Sequence, residues 1–323
     1  MARPVLDLAD SFLLLPDLLG FWLTGRSVAE RTNASTTGLL GVESGEWDFA
    51  LAERLDIPHD IFRSLVAAGT ELGGLAPSAV RGVGSTRAVV TTVGSHDTAS
   101  AIVAIPASSP DFAYISSGTW SLVGVELERP VLSEASRLAG FTNEGGVDGR
   151  VRYLHNVMGL WLLSECARDW EKTGETISLP ELIAQAAAMS GPVPVFDADD
   201  EVFLTPGDMT GRIAAWFTAR GIAAPGSRAE LVRSILQSLA DAYAHSIAVA
   251  RGLSGATVSV LQIVGGGSQN ALLCQLTADA TGLPVVAGPV EATAIGNVLV
   301  QARGSSSTVT SRRCVRWSSL HSR

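Results

Sequence analysis

The sequence predicts an α/β protein, and three segments carry that prediction. Val89 to Val93 is a β-branched run closed by Gly94, and a small, apolar helical stretch from His96 to Val103 follows it. Val258 to Val264 repeats the pattern, with Gly265, Gly266 and Gly267 as the turn and Asn270 to Thr281 as the helix. Arg228 to Arg251 is a long helical pattern opened by a Ser227/Glu230 capping box and closed by Gly252. Strands that alternate with helices belong to the α/β class.

The remaining elements follow in chain order. Leucines and aromatics recur at helical spacing over residues 6–24 and stop at Gly25. A polar stretch from Thr32 to Gly38 leads to Trp47, which opens a helix through Leu55, and Pro58 begins a turn and a short helix. Val89 to Val93 reads as a buried strand. Ala107 to Pro110 is a linker, after which Phe112–Ser116 and Ser121–Leu127 read as strands on either side of Gly118. From Asn156 to Trp170, Leu160, Leu163 and Ala167 mark a helix. The core face of the 228–251 helix is Leu231, Ile235, Leu239, Tyr243 and Ile247, and no internal repeat is visible. After Ala302 the pattern breaks into a Ser- and Arg-rich tail, which reads as a shifted reading frame more readily than as a disordered end.

Composition narrows the function classes. With 323 residues, 46% hydrophobic and 17% charged, the chain can bury the cores of two domains. A net charge of −9 supplies no cationic footprint for nucleic acid or an anionic membrane. Cys166, Cys274 and Cys314 form neither a disulfide framework nor a zinc-ligand spacing, which fits a reducing cytoplasm. The apolar run Phe12 to Leu23 is broken by Pro16 and Asp17 and is too short to span a bilayer.

Three turns could carry chemistry. Gly94-Ser95-His96-Asp97 joins a strand to a helix, and a carboxylate in the first helical turn is favoured by the macrodipole. Beside a cleft, such a group accepts the proton of a hydroxyl that attacks phosphorus. Taken alone, Ser95 and Asp97 are more simply helix caps, and His96 an interior histidine. Ser117-Gly118-Thr119-Trp120 offers amides and a hydroxyl to an anion, or is an ordinary hairpin turn. Gly265-Gly266-Gly267-Ser268-Gln269-Asn270 lets a ligand approach the backbone closely ahead of helix-terminal amides. No Lys follows it and its glycines are not spaced, so it is neither a Walker motif nor a dinucleotide fingerprint.

Together these segments resemble the FGGY carbohydrate kinases from residue 6 to 302. Asp17-Leu18-Leu19, Leu23-Thr24-Gly25, Thr32-Asn33-Ala34-Ser35 and Trp47 resemble the first lobe. Gly94 to Ala101 resembles the catalytic segment, Ser117 to Ser121 the second phosphate motif, and Gly265 to Asn270 with Gly288 to Ala292 the adenosine region. The His96-Asp97-Thr98 form, Gly140 to Gly146, Asn156 and Pro206-Gly207-Asp208-Met209 resemble the rhamnulokinase branch. The resemblance implies an actin-like, ribonuclease-H-like fold of two lobes with the first incomplete: residues 1–106, 107–303 and an irregular tail over 304–323. It implies ATP with Mg²⁺ and transfer to the 1-hydroxyl of L-rhamnulose. Asp97 would accept the proton, and His96, Thr98 and Asn156 would touch the sugar. Gly118 and Thr119 would meet the phosphates, and Gly265, Gly266, Gly267, Gln269 and Asn270 the nucleotide. The chain departs from the family in having no Asp-x-Gly turn ahead of Asp7, Ser164 where Gln is common, and no closing helices after Ala302, so weak or absent turnover is expected. The alternatives are a non-catalytic actin-fold protein that binds a sugar or a partner, and a kinase of the same family for another ketose.

Overall fold

A computed structural model describes residues 6, 8–81, 87–107, 109–172, 174 and 176–304. The expected tail from 305 onward and the position of Asp7 lie outside the described residues.

The first part of the chain is built of short elements. Helix α1 (Leu15–Thr24) is followed by β1 (Ala29–Glu30), α2 (Arg31–Ala34) and α3 (Phe49–Arg54). The sequence pattern placed α1 nine residues too early. Pro16 sits in its first turn, where a missing amide costs nothing, and upstream Phe12 bridges to Phe62 instead. Gly25 ends it as expected, with φ 76°. Strand β2 (Leu65–Val66) pairs in parallel with β1, and β3 (Glu71–Gly74) pairs antiparallel with β4 (Val89–Thr91). The expectation that 89–93 is buried fails: Val89 is 48% exposed. β-Branched residues report a pleated backbone, not which face is covered.

Helix α4 (Asp97–Val103) leads to a six-stranded sheet. Its strands are β5 (Phe112–Ser117), β6 (Trp120–Leu127), β7 (Thr142–Gly145), β8 (Val151–Met158), β9 (Val260–Val264) and β10 (Val285–Ala287), in the order β10-β9-β5-β6-β8-β7. The pairs β10/β9 and β9/β5 are parallel and the rest antiparallel. Helices α5 (Glu134–Leu138), α6 (Trp161–Glu171), α7 (Leu179–Ala188), α8 (Met209–Ala219), α9 (Arg228–Ser254), α10 (Ala271–Thr281) and α11 (Ala292–Gly304) complete the described chain. Asn156 falls on β8, and the helix expected from it begins only at Trp161, because residues 151–158 are already committed to pairing with β6.

Successive residues of β5 serve opposite faces. Ala113 and Ile115 enter the large core beneath α9, while Tyr114 joins Ala101 and Ile102 of α4 in a smaller core on the other side. Leu231, Ile235, Leu239, Tyr243 and Ile247 are all buried, each large side chain contributing about 1.5–3 kcal/mol. Gly252 does not stop α9, which runs to Ser254 and ends at Gly255 with φ 71°. The apolar stripe outlasts Gly252, and a single exposed glycine lowers helix propensity without ending the helix.

Candidate active site

Strand β4 delivers the chain to the loop 94–96, where four backbone polar groups ahead of α4 are engaged. The Ser100 hydroxyl donates to the Gly94 carbonyl at 2.8 Å, and the Ser95 amide donates to Glu30 Oε2 at 3.1 Å. The His96 amide donates to Thr32 Oγ1 at 3.2 Å, and the His96 carbonyl accepts from the Ala99 amide at 2.9 Å. A Cβ on Gly94 would stand 2.9 Å from Val147 and 3.1 Å from the Ser100 amide nitrogen, so only glycine fits there.

The capping interpretation of Ser95 and Asp97 fails. His96 is the N-cap of α4 and its side chain makes no capping hydrogen bond; the Ser95 hydroxyl goes to Glu30 Oε2 at 2.7 Å instead of to the helix. The Asp97 side chain is 77% exposed, and its Oδ1 accepts from the amide and hydroxyl of Thr98 at 2.6 and 3.2 Å. Thr98 is itself buried, so its donors are turned to Asp97 rather than outward.

His96 stands between two carboxylates, Nδ1 3.9 Å from Asp97 Oδ1 and Nε2 3.9 Å from Glu144 Oε2. Behind Glu144 lies Arg152, wholly buried, with Nη2 2.9 Å from Glu144 Oε2 and Nε donating to the Gly145 carbonyl at 3.0 Å. Burial, and after it the Arg152 guanidinium, hold the His96 imidazole below its ordinary pKa against the pull of Glu144 and Asp97, which favours the neutral ring. Asn156 is exposed on β8 and faces the same side as Arg152, four residues or about 13 Å along the strand.

The two glycine turns meet. Gly118–Thr119 closes the β5–β6 hairpin, as the simpler interpretation had it, and Thr119 is exposed. The amides of Leu160 and Trp161 at the start of α6 donate to the Gly118 and Thr119 carbonyls at 3.0 and 3.1 Å. The turn after β9 presses on Ser117: a Cβ on Gly265 would lie 2.7 Å from its carbonyl oxygen, and one on Gly267 2.1 Å from its hydroxyl. Close packing therefore accounts for these two glycines without any ligand. Gly266 and Gly118 differ. A Cβ on Gly266 would meet nothing within 4 Å, one on Gly118 nothing nearer than 3.7 Å, and neither residue has a positive φ. The fold does not require glycine at either position, whereas a ligand lying against the backbone would. That is where the residues fit a nucleotide.

Gln269 is exposed in the same turn, but Asn270 is spent on structure, its Oδ1 accepting from the Leu273 amide at 3.0 Å as the N-cap of α10. Residues 288–293 tie this turn to the start of α4. The Gly265 amide donates to the Pro289 carbonyl at 3.1 Å, and Thr293 Oγ1 donates to the Asp97 carbonyl at 3.3 Å. Among the described residues no group of three or more His, Cys, Asp or Glu side chains is arranged to hold a metal. Nor is any helix among them long and apolar enough to cross a membrane.

Pro206-Gly207-Asp208-Met209 is held by α6. The Gly207 amide donates to Glu165 Oε2 at 2.8 Å and the Met209 amide to Asp169 Oδ2 at 2.6 Å, which locks the start of α8 onto α6. Sequence inspection missed Glu30, Arg152 and Thr293. Arg152 carried a signal, a lone charge inside an apolar strand between Val151 and Tyr153; Glu30, beside a polar stretch, carried none.

Comparison with known proteins identifies the family. Residues 3–104 match the N-terminal domain of the FGGY family of carbohydrate kinases, and residues 113–305 match its C-terminal domain. A rhamnulokinase of Bacteroides thetaiotaomicron is 41% identical over 92% of this chain and 60% of its own length, and one of Pectobacterium carotovorum 42% identical over 88% and 56%. The chain thus spans about 60% of the length of the curated relatives it matches. Among solved structures, gluconate kinase from Lactobacillus acidophilus superposes with a TM-score of 0.75 at 14% identity, over 98% of this chain and 63% of its own, a likeness of fold. With both of the family's domains matched along its length, and an exposed aspartate joined through one strap to two adjoining glycine turns, the chain belongs to the FGGY family of carbohydrate kinases and has its actin-like, two-lobe α/β fold.

Proposed function

We propose that the protein transfers the γ-phosphoryl group of ATP to the 1-hydroxyl of L-rhamnulose, with Asp97 as proton acceptor. The exposure of the Asp97 carboxylate at the start of α4, with only Oδ1 engaged, by the amide and hydroxyl of Thr98, carries this reading. The identity with rhamnulokinases supports the substrate. The Pro206–Met209 segment does not, since its hydrogen bonds serve the α6–α8 contact.

Phosphoryl transfer asks mainly for positioning and for stabilisation of charge. The 1-hydroxyl gives its proton to Asp97 as its oxygen bonds to the γ-phosphorus; the bond from that phosphorus to the β–γ bridging oxygen breaks, and ADP departs. The neutral His96 ring and the Asn156 amide orient the sugar. Thr98, through its amide and hydroxyl, fixes the Asp97 carboxylate, so it acts behind the sugar rather than on it. Thr119 and the bare backbone at Gly118 receive the phosphates, and that at Gly266, with Gln269, the adenosine. Mg²⁺ bound to ATP supplies charge neutralisation on the phosphates. The protein is assigned to the cytoplasm, with ATP and a small sugar as its partners.

The test couples ADP release to a panel of L-rhamnulose, D-xylulose, D-gluconate and glycerol, with calorimetry of each sugar alongside. Weak turnover, with L-rhamnulose in preference and abolished by Asp97→Asn, is the expected result. Sugar binding without ADP release would point to a binding protein, and equal response to all four would overturn the substrate.

A further inference from the structure

Glu30 ends a two-residue strand far from Asp97 in sequence, yet its carboxylate is the most heavily engaged acidic group beside the catalytic loop. It is wholly buried. Oε1 accepts from the Thr32 amide at 3.0 Å. Oε2 accepts from the Thr32 hydroxyl at 2.5 Å, the Asn33 amide at 3.3 Å, the Ser95 amide at 3.1 Å and the Ser95 hydroxyl at 2.7 Å. A buried carboxylate with this many donors is stable only in one arrangement, because each lost partner leaves charge desolvated and unpaired. Capping α2, a helix of four residues, needs only the Thr32 and Asn33 amides. The Ser95 contacts are beyond that need.

The Thr32 hydroxyl relays the clamp by one residue. It donates to Glu30 Oε2 and accepts the His96 amide at 3.2 Å, so the two residues before Asp97 have their amides fixed by one carboxylate and its hydroxyl partner. The far end of α2 is anchored as well. Ser35 Oγ donates to the Thr32 carbonyl at 2.7 Å and accepts the Gly145 amide, from the edge strand β7, at 2.8 Å. The clamp therefore stands against the six-stranded sheet rather than on a free loop.

We infer that Glu30 and Thr32 are positioning residues that set where the Asp97 carboxylate stands by fixing the backbone amides of Ser95 and His96. The inference rests on the reading of Asp97 as proton acceptor, but the clamp itself can be tested without turnover. Thr32→Val keeps the shape of the side chain and removes the relay; Thr32→Ser keeps the hydroxyl. Amide hydrogen exchange is followed for Ser95 and His96 against the buried amides of α9 as an internal standard of global stability. Slow exchange in the wild type and in Thr32→Ser, with at least tenfold faster exchange at both amides in Thr32→Val and in Glu30→Gln while α9 is unchanged, is the expected result. Equal protection in all four proteins overturns the inference, as does loss of protection in Thr32→Ser equal to that in Thr32→Val. Where L-rhamnulose is turned over, Thr32→Val lowers kcat by about 100-fold, as a displacement near 1 Å does, with KM for the sugar within about twofold of wild type, and Thr32→Ser restores kcat. A kcat unchanged in Thr32→Val while exchange accelerates would also overturn it. Failure of the wild type to turn over any sugar would refute catalysis by this chain and leave the exchange result to decide the clamp.

Discussion

Replacing Gly296 by alanine tests how α4 is held. Helices α4 and α11 cross so closely that a Cβ on Gly296 would lie 1.8 Å from the Ser100 carbonyl oxygen and 2.5 Å from its carbon. Real Cβ contacts do not fall below 3.0 Å, so the gap must open by at least 1.2 Å. Both obstructing atoms are backbone, and no rotamer change relieves them. Ala99, Ser100, Ala101 and Ile102 are buried around the contact, so α4 cannot move without unpacking two small cores. Overpacking of this kind costs about 1–3 kcal/mol, and backbone obstruction places this variant at the upper end. The same shift carries Asp97, at the start of α4, about 1 Å from its place, which lowers turnover about 100-fold. Urea unfolding measures the first effect and coupled ADP release the second. A Gly296→Ala protein with an unchanged urea midpoint would refute the close crossing.

Gly252→Ala should act in the opposite direction. The residue is exposed within α9 and a Cβ there meets nothing within 4 Å, so stability rises by about 0.5–1 kcal/mol, read as a higher Tm. Burial pushes the Asp17 carboxyl up to about 6, outweighing the hydrogen bond from the Glu30 amide and aided by the Glu30 charge. The folded state therefore holds this proton more tightly than the unfolded state. Stability from this group is fullest below pH 4 and falls by about 3 kcal/mol as pH rises through 6. Unfolding free energies at pH 4 to 7 should show that slope in wild type and lack it in Asp17→Asn. Asp97→Asn should lower kcat by at least about 100-fold while L-rhamnulose still binds, by calorimetry, since general-base catalysis contributes on that scale.

Much of the local backbone of the candidate site was legible because its motifs are local. Strand, glycine turn and helix follow one another at 258–281, and the hairpin at 117–121 needs only its own residues. What the sequence hides is long-range. Nothing near Gly265 or Gly267 reveals that Ser117, about 150 residues earlier, excludes a Cβ there, so the run of three glycines overstated the case for a ligand. Periodicity also misplaced Asn156. Leu160, Leu163 and Ala167 keep helical spacing, but the alternation of 151–158 belongs to a strand whose partner, β6, lies some 30 residues upstream. The importance of Glu30 arises only when the 94–96 loop is folded against it.

Because β5 and β9 run in parallel as neighbours, both glycine turns emerge at one rim of the sheet, and the chain entering those strands lies at the other. There Ser259 holds the Asp111 carbonyl through its amide and hydroxyl, while Thr257 is exposed. A fluorophore attached at a Thr257→Cys substitution would sit ahead of the entering end of β9, a strand whose five residues span about 16 Å, with the glycine turn beyond its other end. That opposite rim is a natural handle for immobilising or labelling the protein without covering the glycine turns.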